Sequence, residues 1–427
     1  MFSQDSLLDF LKESPTAFHA VPWLSRRLQE AGYRPLDPRE EWALEPGGRY
    51  LTTRNGSSLI AFRLAHQAPL DAARMGVCHT DSPALKLRLR DAAQAAPGLL
   101  KVPVEVYGGA TIAPWLDRPL QVAGRLPLRD SEGKMRFLPV ATREPVAVIP
   151  NPPIHLASLN DGFRYNPQTQ LAALLPYAGL GELLAALAPE GCSPLEAPLQ
   201  RTAELYLADA QAPVAMGELL QAPRLDNLTS CHALAEALCQ EEPPACTLLG
   251  GFFDLEEVGL NFQSAGGDFL PSTLLRLANA LGEGSPQALP RMMAASLCLS
   301  LDVAHAFHPN FPELFDPEDS PRLGQGPALK FHANQNFATT LPAAAYLQDL
   351  AARSQLPLQT FTPRSDSRCG STIGRMVAGS LGVAVADLGA PIWAMHSLRE
   401  TGSLSDTKAL QQLLQAFFLD KAPLPLP

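Results

Sequence analysis

Acidic and imidazole side chains recur where the apolar runs of this chain end. Val77-Cys78 leads into His79-Thr80-Asp81, and Thr247–Phe253 leads into Asp254-Leu255-Glu256-Glu257. Leu297–Leu301 leads into Asp302, and a later run precedes Ala394-Met395-His396. Imidazole nitrogens and carboxylate oxygens are the ligands that zinc and similar divalent ions take. In open α/β sheets, ligands bind in the crevice beyond the carboxyl ends of the strands. Loops of this kind converging on one crevice would make a metal site.

Each motif also has a plainer reading. His79 and Asp81 are two apart, so on an extended segment both point to the same side. Contact between Asp81 and the His79 ring needs a turn at Thr80; given that turn, the carboxylate would fix the ring tautomer. Alone, His-x-Asp equally describes a loop His beside a capping Asp. Glu256 and Glu257 are adjacent and diverge, which suits one to bind a metal and the other to act as general base on water. An isolated Glu-Glu is ordinarily two solvated acids, but this pair leaves a run, Cys246–Phe253, that reads as buried. Asp226, in Pro223-Arg224-Leu225-Asp226-Asn227, reads alone as a helix N-cap and otherwise as a carboxylate bridging two metals. Asp302 follows the nearly apolar Ser296–Leu301, where a charge requires a partner or a metal. His305 and His308 follow it as ligand-shell residues or satisfied polar groups, and Lys330 alone is an ordinary solvated lysine.

Competing signatures are absent. The chain has no G-x-S-x-G elbow, no phosphate-binding G-x-x-x-x-G-K-[ST], no G-x-G-x-x-G and no H-E-x-x-H. Cys369, in a polar Asp-Ser-Arg-Cys-Gly turn, remains as a nucleophile candidate that ordinary cysteine usage argues against.

The elements that would position these side chains alternate. Strand-like runs include Ser58–Leu64, Arg74–Cys78, Val146–Pro150, Leu205–Ala208, Thr247–Phe253, Ser296–Asp302, Leu356–Phe361 and Val383–Leu388. Helical periodicity marks 3–33, broken at Pro15, and also Ser230–Leu238 and Leu270–Leu281. The pattern predicts an α/β fold, a central mostly parallel or mixed sheet flanked by helices. Residues 92–215 are rich in Pro and Gly with short β-like runs. They are expected to form an inserted β-rich domain between the two parts, 1–91 and 216–427, of a catalytic domain.

Composition narrows the partners. The 427 residues carry a formal net charge of −10, which disfavours nucleic acid and anionic membranes. Hydrophobic residues make up 46%, enough for a large core, and no apolar run reaches the ~18 residues of a membrane span. The seven Cys contain no C-x-x-C and read as reduced thiols. The opening residues lack a basic segment. The expected location is cytoplasmic.

Taken in order, a set of motifs carries a resemblance. It comprises His79-Thr80-Asp81-Ser82-Pro83, Tyr107-Gly108-Gly109, Trp115-Leu116-Asp117-Arg118, Asn166-Pro167-Gln168-Thr169 and Pro223-Arg224-Leu225-Asp226-Asn227-Leu228. It continues with Asp254-Leu255-Glu256-Glu257-Val258-Gly259, Asp302 to Asn310, Cys369-Gly370-Ser371-Thr372-Ile373-Gly374 and Ala394-Met395-His396-Ser397-Leu398-Arg399-Glu400. The ordered set resembles the aspartyl aminopeptidase family of dizinc metallopeptidases, in its bacterial branch. The resemblance implies two zinc ions per subunit, replaceable by cobalt or manganese. His79, Asp226 and Asp302 would hold one, and Asp226, Glu257 and His396 the other. It implies Glu256 as general base, Asp81 as the partner of His79, and removal of one N-terminal residue, preferably Asp or Glu, by a metal-activated water. Lys330 matches the position that pairs with an acidic first side chain, and we place His305 beside it as a substrate contact. Family members carry an inserted dimerisation domain, and their dimers assemble into dodecamers. Eukaryotic members offer a His across the dimer where this chain has Ala113, so that contribution is missing. A deacylase of small N-acyl compounds and an inactive shell-forming relative are the rival readings. Retention of all five presumed ligands and Glu256 argues against the second.

Overall fold

The structure is a computed structural model that describes residues 2–156, 164–196, 198–259 and 262–424. Its centre is a nine-stranded mixed sheet. In sheet order the strands are Arg34–Pro35, Arg49–Arg54, Ser58–Arg63, Thr247–Phe253, Ala73–His79, Leu297–Leu301, Ala384–Gly389, Ala328–Lys330 and Gln359–Phe361. The four strands from Thr247–Phe253 to Ala384–Gly389 are mutually parallel. Strands covered on both faces read as continuous apolar runs, and every residue of Thr247–Phe253 and of Leu297–Leu301 is buried. Alternate side chains feed opposite cores: Leu248 and Phe252 point into one cluster, Leu249 and Phe253 into the other.

Helices cover both faces. Gln4–Glu13, Ala17–Glu30, Leu225–Leu238, Leu341–Arg353 and Leu404–Leu419 pack on one core, and Phe269–Ala280, Ala288–Ala294 and Gly374–Leu381 on the other. Leu225–Leu238 lies hard against the sheet. A Cβ at Gly76 would stand 2.6 Å from Leu234, and one at Gly250 2.4 Å from Leu238. Glycine at these positions lets the helix approach closely enough to bring Asp226 beside the strand ends.

Segments between Ala84 and Asp209 build a second, eight-stranded antiparallel sheet with its own core around Leu100, Val122 and Leu205. The strand Ala84–Leu87, ahead of residue 92, already pairs into it. Val146–Pro150, read from sequence as a strand, makes only isolated bridges at Ala147 and Val148. Pro145 and Pro150, which lack an N–H, bracket it. Among the described residues no helix is long and apolar enough to cross a membrane, and all seven cysteines are free thiols.

Candidate metal centre

The four parallel strands deliver their carboxyl ends to one place. His79 closes Ala73–His79, Glu256 and Glu257 follow Thr247–Phe253, Asp302 follows Leu297–Leu301, and His396 lies beyond Ala384–Gly389. All five line a single cleft of about 400 Å³, together with Asp226.

Asp226 is the middle of the cluster. Its Oδ1 lies 3.3 Å from His79 Nε2, and its Oδ2 lies 3.5 Å from His396 Nε2. His79 Nε2 is also 3.6 Å from Asp302 Oδ1, and His396 Nε2 is 3.5 Å from Glu257 Oε2. Each carboxylate oxygen of Asp226 therefore meets one imidazole, and each imidazole meets a further carboxylate. Asp226 Oδ1 is buried yet accepts no hydrogen bond among the described residues. Ligand atoms of His79, Asp226 and Glu257 all lie within 4.8 Å of one another.

Charge is uneven here. Burial, opposed by His79 and reinforced by Asp302, Asp81 and Asp226, pushes the Glu256 carboxyl up to about 8. Burial and the Asp226 charge push Glu257 up to about 10. Carboxylates gathered in a buried site demand positive charge. Lys330, 2% exposed, supplies part of it from one side, with Nζ 3.8 Å from Asp302 Oδ2.

The loops are held by their backbones. His79 Nδ1 lies 3.1 Å from the Asp81 carbonyl and 3.5 Å from Asp81 Oδ1. The Asp81 carboxylate itself accepts the N–H of Glu256 at 3.1 Å, the N–H of Glu257 at 3.2 Å and the Tyr107 hydroxyl at 2.7 Å. Asp226 does not cap its helix; it has non-helical dihedrals inside the first turn. Its carbonyl accepts the Ser82 hydroxyl at 2.6 Å, and Asn227 Nδ2 donates to the Leu301 carbonyl at 2.7 Å. Arg224, just before it, donates to the carbonyls of Ser14 and Thr80. Arg224, Leu255, Ala394 and His396 all have positive φ. Non-glycine residues adopt this region at a cost, and such strain gathers at functional sites.

Lys330, His305 and Cys369 line the same cleft with Phe337 and Phe361. Lys330 Nζ donates to the Val303 carbonyl at 2.7 Å and stands 5.2 Å from the Phe337 ring centre. His305 is set edge-on to Phe361, and its surroundings together with the Lys330 charge lower its pKa, so the ring is neutral at pH 7. Burial raises the Cys369 thiol, which leaves it protonated and a poor nucleophile. His308 packs on Phe311 and Trp393, and is not among the residues lining the cleft. Tyr107 and Glu400 were inside recognised motifs, but nothing local in sequence marks what they bind; their partners come from distant segments.

This constellation coincides with a family match over nearly the whole chain. The Aminopeptidase I zinc metalloprotease (M18) family matches residues 10–418. The chain belongs to the M18 family of zinc aminopeptidases. A probable M18 family aminopeptidase 2 of Pseudomonas aeruginosa is 42% identical over 427 residues, covering 96% of this chain and 97% of the relative. Among solved structures, a chain of the cryo-EM structure of the Ape4 and Nbr1 complex superposes with a TM-score of 0.91 at 32% identity, over 97% of this chain and 84% of the other. The dodecamer of yeast mApe1 gives a TM-score of 0.82 at 26% identity, over 97% and 95%. This M18 aminopeptidase is a metallo-exopeptidase, and its cluster fits the family's zinc: a buried carboxylate oxygen that accepts no hydrogen bond among the described residues and imidazole nitrogens facing carboxylates are N/O donors of the kind zinc takes.

Proposed function

We propose that this M18 aminopeptidase removes single residues, preferably Asp or Glu, from peptide N-termini at a centre of two zinc ions per subunit. The observation that carries the reading is Asp226, with one carboxylate oxygen toward each imidazole. His79, Asp226 and Asp302 would hold one ion, and Asp226, Glu257 and His396 the other. Zinc at this place supplies Lewis acidity toward the scissile carbonyl and lowers the pKa of water. Cobalt or manganese offers the same chemistry.

The remaining roles belong to side chains. Glu256 takes the proton of the attacking water and returns it to the leaving amine. Asp81 holds the Glu256-Glu257 backbone so that the two carboxylates diverge, one to metal and one to water. Lys330 receives an acidic first side chain. An ammonium has three donors; one goes to Val303 and one faces Asp302, which leaves one for substrate. His305, neutral, contacts the substrate from the same wall.

Self-association follows the same reading. The β-rich segment, placed at 92–215 by the sequence and opened by the strand Ala84–Leu87 in the fold, forms the dimerisation domain between the two parts of the catalytic domain, and dimers assemble into a dodecamer, the form described for yeast mApe1. Ala113 provides no cross-dimer imidazole. Free thiols suit a cytoplasmic location.

The test is a panel of N-terminal aminoacyl substrates, free and N-acylated, assayed with zinc, cobalt and manganese. Asp and Glu substrates should turn over faster than Ala and Leu, and N-acylated ones not at all. Hydrolysis of the N-acylated set would favour a deacylase instead.

A further inference from the structure

We infer that Glu400 is a positioning residue of the metal centre, whose buried carboxylate sets the backbones of Asp226 and His396 from behind. The inference rests on the assignment of those two residues as metal ligands. Glu400 is 2% exposed. Its Oε2 accepts the Asp226 N–H at 2.9 Å, and its Oε1 accepts the His396 N–H at 2.8 Å. One carboxylate thus joins two loops that lie far apart in the chain.

The topology explains how. Glu400 opens the strand Glu400–Ser403, which pairs antiparallel with Leu219–Ala222, and Ala222 stands opposite Glu400. Asp226 lies four residues beyond Ala222, and His396 four residues before Glu400. Both loops leave the same rung of the ladder and turn back onto the Glu400 side chain. Neither loop is regular at the ligand: Asp226 has φ −79° and ψ 99°, and His396 has φ 67°. These amides belong to neither helix nor ladder, and a buried N–H without an acceptor is costly. Glu400 supplies both acceptors and thereby selects these two backbone conformations.

Asp81 is the same device for another pair of residues, accepting the amides of Glu256 and Glu257. Two carboxylates that hold backbone therefore frame the carboxylates and imidazoles that would hold metal. A residue in this position acts on metal affinity through ligand geometry. Outer-shell partners of this kind are worth 10–100-fold in affinity or activity.

Glu400→Gln keeps the side-chain volume but turns one acceptor into an NH₂ group facing an N–H. Glu400→Ala removes both acceptors. Wild type and variants, stripped of metal, would be titrated with zinc against a competing chelator, loaded with cobalt for visible spectra, and unfolded in urea without metal. We expect zinc affinity to fall about 10–100-fold in both variants and the cobalt bands to shift. A residue that only closes a buried loop would lower the urea midpoint and leave zinc affinity and cobalt spectrum at wild-type values; that result overturns the inference. Wild type that binds no zinc would overturn the metal-centre reading, and the inference with it. Amide exchange of metal-free wild type needs no variant to fold. Peptides containing Asp226 and His396 should exchange slowly, and complete exchange at the first time point would overturn the clamp.

Discussion

The carboxylate of Asp81 accepts the backbone N–H of Glu256 at 3.1 Å. Its other oxygen takes Glu257 N–H and the Tyr107 hydroxyl, so one carboxylate holds the backbone of the Glu-Glu pair. Asp81→Asn replaces one acceptor with a donor facing an N–H. The variant should lose ~10–100-fold in kcat with little change in KM, because the general base and not the substrate pocket is displaced. Steady-state kinetics on zinc-saturated protein decides this; wild-type kcat would make the contact idle.

Glu256 and His396 separate base from ligand. Glu256→Gln should keep its zinc and lose at least ~10²-fold in turnover, the lower scale of general-base catalysis. His396→Ala should lose metal itself. Elemental analysis beside the assay distinguishes them. A metal-loaded Glu256→Gln protein that works normally, or a His396→Ala protein with full zinc at both sites, contradicts the assignment.

Chelation should abolish activity, and zinc should restore it. The metal-free protein should stay folded but melt lower, since a ligand bound only by the native state stabilises by about 2.7 kcal/mol at 100 times its Kd. The carboxylates around Asp226 lose their counter-charge on stripping, yet the strands beneath them remain buried on both faces. Calorimetry with and without chelator reads the shift. An identical melting temperature with full activity after exhaustive chelation would exclude a required metal.

Much of this was legible before the structure, for a physical reason. Central parallel strands are buried on both faces, so they appear as unbroken apolar runs, and the first charged residue after each run marks its carboxyl end. Thr247–Phe253 followed by Asp254 to Glu257 is the clearest case. Asp226 was harder. It stands at the mouth of a helix and reads as a cap, but its conformation is set by Glu400, 174 residues away, and Ser82, 144 away. His79 and Asp81 share a side on an extended strand, yet the Asp81 carboxylate bonds Glu256, 175 residues on. Periodicity carries information over a few residues and none about contacts of this range. The family resemblance implies those residues, and the backbone groups that hold them lie in distant segments that the fold alone brings together.

Lys330 gives the sharpest test of specificity. It is 2% exposed, donates to the Val303 carbonyl and stands 3.8 Å from Asp302 Oδ2. Lys330→Met keeps the stem against Phe337 and removes the charge. For Asp and Glu substrates, kcat/KM should fall by roughly 2–5 kcal/mol of transition-state binding, the range for removing one partner of a buried charge pair. Ala and Leu substrates present no charge to pair and should fall less. They will not be untouched, because Asp302 also loses a neighbouring cation and its hold on metal changes. The measurement is therefore the ratio of acidic to neutral kcat/KM on one preparation, in which lost zinc and lost folding cancel. An equal fall for both classes would make Lys330 a counter-ion of Asp302 and nothing more. A wild type that shows no acidic preference at the outset would point instead to Ala113, where no imidazole reaches a neighbouring site.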